Sequence, residues 1–572
     1  MSAPAKPRAA SGRAVARSRA PLPAHVERLW VLALVVLHVT FASWGAVRQS
    51  VTFDENFHLP AGVLEAARGE LRVSAVNPPL VKAVAGAAAL AAGARVPTDD
   101  AMGDFEQGRV GYAFMRANAD RYQRVFVAGR LVTVFLSALL ALVVWRWARR
   151  LWGSRGALVA LGFYALAPEA LAHAGVITMD VPTALGFTAT LFGWQAFVRA
   201  GRARDFAFTA IALAFTFLVR FTAVFLPPLM LVLAIAELAG KRVRSAKRVA
   251  IGFVALGVTT LLLLNAGYLF RTSFTPLAGM PFQSQSFRAL AAKAPSLRLP
   301  LPDTYVMGFD RQAVESQAGR TPSYLLGTVH PDAPLAYFPV ALAAKWPLGF
   351  LAALALLLAY AVARRPRSRR MLWPLAAVAL FLWIAMFVGR LGIGIRYVFP
   401  IVPLLAVTLG ALASGRRGDA AWWKQAAIAL ACAQGLEMAA HAPWHLSFYN
   451  ALAGGPAKGQ WIVNDSNVDW GQGLIALRDE MRARGITKVN LAYHGTVDPA
   501  VYGIDYVPYV GGQPSGESEW LAISSYYFVG LSQRMTTTQG RSEQAIGLDM
   551  RALWPREPEA RPAGCMLLFR LR

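Results

Sequence analysis

Apolar residues run along this chain in long blocks rather than in the stripes of a soluble helix. The first block is Leu29 to Val47. Others lie near 126–147, 154–172, 181–198, 206–220, 221–238, 249–270, 336–360, 371–389, 398–413 and 422–440. Each has roughly 15–25 residues, which is what a hydrocarbon core of about 30 Å asks of a helix rising 1.5 Å per residue. The pattern predicts about 11 transmembrane helices. The first block is too long for the h-region of a signal peptide and lacks a cleavage site, so it reads as an uncleaved span. Block 206–220 is separated from the next only by Arg220.

The stretches between blocks set the domain plan. Residues 1–28 are rich in Arg, Ala, Ser and Pro and are expected to be disordered. Two long loops follow, 48–125 and 271–335. Inside the first, Leu80 to Ala94 is weakly apolar and short for a span, which suits a helix lying at the membrane interface. After the last block, residues 441–572 change character. WIVND, VNLAYHG, LAISSYYFVG and CMLLFRLR read as strands. Between the first two, Leu474, Leu477 and Met481 share a helical face and Gly485 stands where a C-cap belongs. The expected fold class is an all-α polytopic membrane protein, a helical bundle over 29–440, followed by a small α/β domain over 441–572.

Composition and charge sharpen this plan. Of 572 residues, 56% are hydrophobic and 16% charged, against about 25% charged in soluble domains. Disorder, collagen, a disulfide scaffold and a compact cytosolic enzyme all fit poorly. The net charge is +26. With the N-terminus in the cytoplasm, segments 1–28, 146–155, 199–205, 241–248, 364–370 and 415–424 hold 26 Lys and Arg and only three acids, Glu27, Asp205 and Asp419. The positive-inside rule then places the protein in the inner (plasma) membrane as a multi-pass chain, with loops 48–125 and 271–335 and the C-terminal domain extracytoplasmic. The basic runs KRVRSAKR and RRPRSRR are explained by topology and anionic lipids, with no nucleic acid partner. Cys432 and Cys565 have no metal or disulfide spacing.

Acids are scarce, so clustered acids carry information. TFDENFHLPAG opens the first outer loop: Asp54 and Glu55 are adjacent, and His58 lies one helical turn past Asp54. A carboxylate where membrane meets water suits a general base; the same position also suits a helix cap. In VNPPLVKA, Asn77 is placed to cap the interfacial helix and Lys82 to reach a phosphate at headgroup depth or to snorkel among lipids. Asp180, in GVITMDVPTALG, stands at the outer end of a span, as a functional carboxylate or a cap, with Glu169 and His173 nearby. Arg390 and Arg396, the latter beside Tyr397 in GRLGIGIRYVFP, are basic residues on the side that otherwise lacks them. Such an arginine is a natural phosphate clamp; Arg220 is a similar candidate. In the tail, Asp465, Asp469, Trp461, Trp470 and Tyr493 suit either carbohydrate contact or ordinary packing.

No Walker loop, dinucleotide fingerprint, nucleophile elbow or His-Glu-x-x-His motif is present. A base and a cationic clamp at one membrane face suit group transfer from a lipid phosphate. The Asp54-Glu55 pair, the Asn77-Pro-Pro-Leu element, Asp180 opening a span and the Arg396-Tyr-x-x-Pro run resemble, in order and placement, the GT-C glycosyltransferases. The nearest kind is family 39, with protein O-mannosyltransferases and lipid A aminoarabinose transferases. The tail phrases NDSNVDWGQGLIALRDEM and NLAYHGTVDPAVYGIDY are similar to a bacterial subgroup with a C-terminal extracytoplasmic domain.

That resemblance implies a polyprenyl-phosphate sugar donor, a lipid, glycan or protein acceptor on the outer face, and direct displacement with inversion at the sugar carbon. It makes Asp54 the general base, Glu55 its support and Asp180 the second acid. Arg396 would hold the donor phosphate, and His58 matches a histidine common after the acidic pair. Some relatives use a divalent metal ion; no ligand set with metal spacing stands out here, so a metal cofactor is left open. The eukaryotic MIR-type repeat is absent. The rival readings are a transporter or flippase of lipid-linked glycan, which would favour charges at the bilayer midplane, and a noncatalytic glycan-binding membrane scaffold.

Overall fold

The computed structural model describes residues 22–97, 107–243, 245–315, 322–364, 369–414, 420–511, 513–531, 534–536, 542–545 and 550–571. Most of the tail expected to be disordered, 1–21, lies outside them. Helix α1 (Ala24–Arg48) takes up residues 24–28 of the expected tail and is amphipathic toward neither side, as a lipid-facing span should be. Three short helices follow: α2 (Glu55–Arg68), α3 (Leu80–Ala91) and α4 (Gln107–Ala117).

Helix α5 (Tyr122–Ala165) joins two of the expected spans. Only Gly153 interrupts it, at φ 81° and ψ −176°, a conformation that suits glycine. Then come α6 (Pro168–Ala174), α7 (Asp180–Ala200), α8 (Ala203–Phe217), α9 (Leu226–Ala239) and α10 (Ala246–Gly267). Helix α7 is buried along almost its whole length, including Trp194, and is the axle of the bundle against α5 and α8. The amide oxygen of its buried Gln195 accepts from Trp147 Nε1 of α5 at 3.0 Å.

The second long loop folds into α11 (Gln285–Lys293), α12 (Asp303–Glu315) and a hairpin of β1 (Ser323–Leu325) and β2 (Thr328–His330). Helices α13 (Tyr337–Lys345) and α14 (Leu348–Arg364) meet at a bend of 115°. Helices α15 (Leu372–Trp383), α16 (Ile401–Leu409) and α17 (Ala421–Ala440) complete the bundle.

The chain is a multi-pass membrane protein. Every expected apolar block contains helix. Among the described residues, however, five helices are long and apolar enough to cross, or six if the bent α13–α14 pair is one span. The expectation of 11 is not reached by this measure: the block at 398–413, for one, yields only a short apolar helix, while the break at Gly153 falls between two of the expected blocks. Leu80–Ala94 is helical over Leu80–Ala91, with one face buried and Val84 exposed on the other. Helix α3 packs into α2 so closely that a Cβ on Gly62 or Gly86 would overlap the partner helix's backbone.

The C-terminal part is a small mixed sheet. After the single turn α18 (Gly455–Gly459) and helix α19 (Leu474–Ala483) come β3 (Lys488–Ala492), β4 (Asp505–Pro508) and β5 (Trp520–Ser524). A short helix α20 (Ser525–Phe528), a hairpin of β6 (Arg534–Thr536) and β7 (Ser542–Ala545), and β8 (Met566–Arg570) end it. The sheet order is β4-β3-β5-β8, with β8 antiparallel to β5 and the other pairs parallel. Leu474, Leu477 and Met481 are buried as the helical spacing predicts, and Gly485 has φ 68°. WIVND is not a strand: Asn464 caps a turn at Asp465–Asn467, and asparagine side-chain bonding there replaces a ladder.

Candidate functional site

Asp54 sits at the N-terminus of α2, in the elbow that follows α1. Arg396 comes from a single 3-10 turn, Ile395–Val398, just before α16. Though 342 positions apart in sequence, Arg396 Nη1 donates to Asp54 Oδ2 at 2.6 Å. Asp180 opens α7 and accepts from Arg220 Nη1 at 3.1 Å; Arg220 ends the turn after α8. The two acid–arginine pairs face one cavity of about 550 Å³. His58, Asn77 and Tyr397 line it as well. A second cavity of about 360 Å³ shares Asp180, Arg220, Arg396 and Tyr397; apart from Thr183, Thr222 and Gln312, the rest of its wall is apolar, with Phe221, Phe225, Phe381 and Val388 among it. The charged groups therefore stand where a polar hollow meets an apolar one.

The electrostatics follow from the pairing. Burial by itself pushes the Asp54 carboxyl up, but the Arg396 guanidinium, helped by His58 and Arg220, outweighs burial and holds it below the ordinary 3.8. The guanidinium of Arg396 also lies over the Trp470 ring, 4.1 Å from its centroid, and over Tyr397 at 5.1 Å. His58 Nδ1 donates to the Ile177 carbonyl at 3.0 Å, leaving Nε2 as its acceptor. Burial lowers the His58 imidazole below its usual value, against the pull of Asp54, so it is neutral at physiological pH.

Two expected site residues go elsewhere. Glu55 is fully buried outside the cavity and forms a fork with Arg130 of α5, at 2.8 and 2.6 Å, while also accepting from Ile177 N at 2.8 Å. It positions the elbow rather than touching a ligand. Lys82 is fully buried, 2.9 Å from Glu65 Oε1, and donates to the Ser74 carbonyl. The expected headgroup contact fails because α3 turns this face into α2, where an ammonium needs a carboxylate partner. Arg390 pairs with Asp332 in a separate groove.

The tail contributes what spacing left undecided. Asp465, Trp470 and His494 line the same cavity. His494 stacks on Tyr526, with ring centroids 3.8 Å apart, and burial pushes its imidazole down to about 3. Burial pushes the Asp465 carboxyl up to about 7, with Arg396 opposing. His494 escaped notice in the sequence, yet it follows directly on β3, and the carboxyl ends of parallel strands are where such sheets bind ligands. Among the described residues, no group of three or more His, Cys, Asp or Glu side chains is placed to hold a metal ion.

Fold and site together define a helical membrane protein with an acid–arginine centre at the junction of a polar and an apolar hollow. A family model described as dolichyl-phosphate-mannose-protein mannosyltransferase matches residues 115–264, a stretch that carries Arg130, Asp180 and Arg220. The match bears out the resemblance to GT-C glycosyltransferases and the kind of enzyme it implies. No curated protein matches the chain.

Among solved structures, ArnT from Cupriavidus metallidurans bound to undecaprenyl phosphate is similar at 16% identity and TM-score 0.46, over 83% of this chain and 74% of that one. The Archaeoglobus fulgidus oligosaccharyltransferase in the apo form is similar at 12% identity and TM-score 0.46, over 88% and 71%. The S. cerevisiae Pmt1-Pmt2 complex bound to the sugar donor is similar at 19% identity and TM-score 0.35, over 46% and 37%.

Proposed function

We propose that this protein moves a sugar from a polyprenyl-phosphate donor to a hydroxyl or amine acceptor on the extracytoplasmic face of the inner membrane. The observation that carries this reading is the Asp54–Arg396 contact of 2.6 Å on the wall of a polar cavity, with Arg396 also on the wall of the adjoining apolar one. A lipid phosphate has both requirements: a charged group that needs guanidinium partners and a hydrocarbon tail that needs an apolar channel.

In this mechanism the donor phosphate lies between Arg396 and Arg220, and its isoprenoid enters the apolar cavity. The acceptor attacks the anomeric carbon from the opposite face. The new bond forms as the carbon–phosphate-oxygen bond breaks, and Asp54 takes the acceptor proton. The leaving polyprenyl phosphate keeps the bonding electron pair and is stabilised by the arginines. One displacement inverts the anomeric centre. The phosphate competes with Asp54 for Arg396, so donor binding itself frees the base. Asp180 keeps Arg220 in place, and His58 and Asn77 border the sugar.

The test is mass analysis of cell-envelope glycans in a deletion strain complemented with wild type or with Asp54→Asn at equal membrane levels. Wild type should restore a glycosylated species that Asp54→Asn does not. Full restoration by Asp54→Asn removes Asp54 from the chemistry.

A further inference from the structure

The C-terminal domain meets the elbow of Asp54 at several points, Thr496 and Tyr502 among them, but one short segment, Ser466 to Gln472, reaches both that elbow and the loop of Arg396. On one side this segment meets the elbow that carries Asp54. Phe53 N donates to the Trp470 carbonyl at 2.8 Å and Ser50 N to the Gln472 carbonyl at 3.1 Å. Ser50 Oγ donates to the Gly471 carbonyl at 2.8 Å. On the other side it meets the loop that carries Arg396. Ile395 N donates to Asn467 Oδ1 at 3.0 Å, and Ser466 Oγ donates to the Ile393 carbonyl. Between the two, the Trp470 ring lies 4.1 Å from the guanidinium carbon of Arg396.

These contacts are built, not incidental. Asn467 is 1% exposed, and its amide is spent in full: it donates to Tyr337 Oη and to the Asn464 carbonyl, both at 2.8 Å, while accepting from Ile395. Trp470 is 2% exposed. The Arg396 loop has little regular structure of its own, only four residues of 3-10 helix, and Gly394 before it is fully extended at φ 163°. An arginine on such a loop owes its direction to what it is tied to.

We propose that the segment Ser466–Gln472 positions Arg396 against Asp54, so that the C-terminal domain is a working part of the phosphate site rather than an appended module. Trp470 and Ser466 are positioning residues that act through Arg396, and the argument rests on Arg396 being the phosphate clamp proposed above.

The experiment measures the affinity of the full-length protein in detergent micelles for undecaprenyl phosphate. Trp470→Leu should weaken binding roughly 2- to 30-fold, the range of a partly desolvated cation–π contact. Trp470→Phe, which keeps an aromatic face, should recover most of it. Ser466→Ala, the milder change, should weaken binding roughly 2- to 10-fold through loss of one hydrogen bond. Combined with Arg396→Gln, neither change should add anything, because each acts only through that guanidinium. If Arg396→Gln weakens binding while Ser466→Ala and Trp470→Leu do not, or if they weaken it equally in the Arg396→Gln background, the positioning role is refuted and the clamp stands. If Arg396→Gln leaves binding unchanged, the clamp itself falls, and this inference with it.

Discussion

Glu55→Gln is the substitution whose cost the structure states most fully. The Glu55 carboxylate accepts from Thr52 N at 2.9 Å, Thr52 Oγ1 at 3.0 Å, Ile177 N at 2.8 Å and the Arg130 fork at 2.8 and 2.6 Å. Arg130 is itself fully buried and donates further to the carbonyls of Ala46, Gln49 and Ser50. One ion pair thus ties the end of α1, the start of α2, α5 and the loop before α7. Glutamine has nearly the same shape but one oxygen fewer to offer and no charge. It leaves a guanidinium buried without its counter-ion, a loss of about 3–5 kcal/mol. Against a total stability of roughly 5–15 kcal/mol, that brings the protein near its unfolding threshold. Denaturant titration in detergent micelles, followed by circular dichroism, measures the difference. Adding Arg130→Met should return more than half of the loss, because the stranded charge is removed along with its partner. A Glu55→Gln protein within about 0.5 kcal/mol of wild type, or a double variant whose loss equals the sum of the two singles, would refute the claim that the pair acts as one unit.

Three further outcomes follow from the same geometry. Asp54→Asn should lower transfer roughly 100- to 10,000-fold, the range of a lost general base, with undecaprenyl phosphate still bound; transfer within tenfold of wild type contradicts the assignment. The acid limb of kcat/KM should lie low in wild type, because Arg396 holds the Asp54 carboxyl below 3.8 against the upward push of burial. Arg396→Gln removes that cation and should move the limb to higher pH, and a limb that stays put or moves down excludes Asp54 as the group titrating. Gly62→Ala places a methyl against the Lys82 backbone and should cost about 1–3 kcal/mol in the same denaturant titration; a neutral result means that α2 and α3 are not in contact as described.

The parts legible in the sequence are those where a rule about single positions is broken. Asp54, Asp180 and Arg396 stood out because charge is rare near span ends, and Arg396 is basic on the side where the charge bias forbids it. Every apolar block holds helix for the same reason, since lipid selects composition locally, whereas α2, α4, α11 and α12, in the long loops, carry no such signal. What stayed hidden depends on partners. Lys82 and Glu65 are 17 positions apart and look like two ordinary surface charges until α3 is laid against α2, when each becomes the counter-ion of the other. A span count fails in the same way. Apolar length cannot tell that α7 is apolar because protein rather than lipid surrounds it. The tail is the sharpest case. Its Asn-Asp-Ser-Asn phrase and Trp470 were visible as unusual, yet nothing local says that Gln472 meets Ser50 or that Asn467 meets Ile395. Those bonds link the elbow to an arginine loop and a C-terminal domain that lie hundreds of residues further along the chain, 342 for Arg396 and 421 for Gly471. The surroundings of the Asp54–Arg396 pair therefore come from all three parts, so its geometry is a property of the whole chain. Each acid and arginine announces itself alone; the distance between them is written in residues that carry no charge.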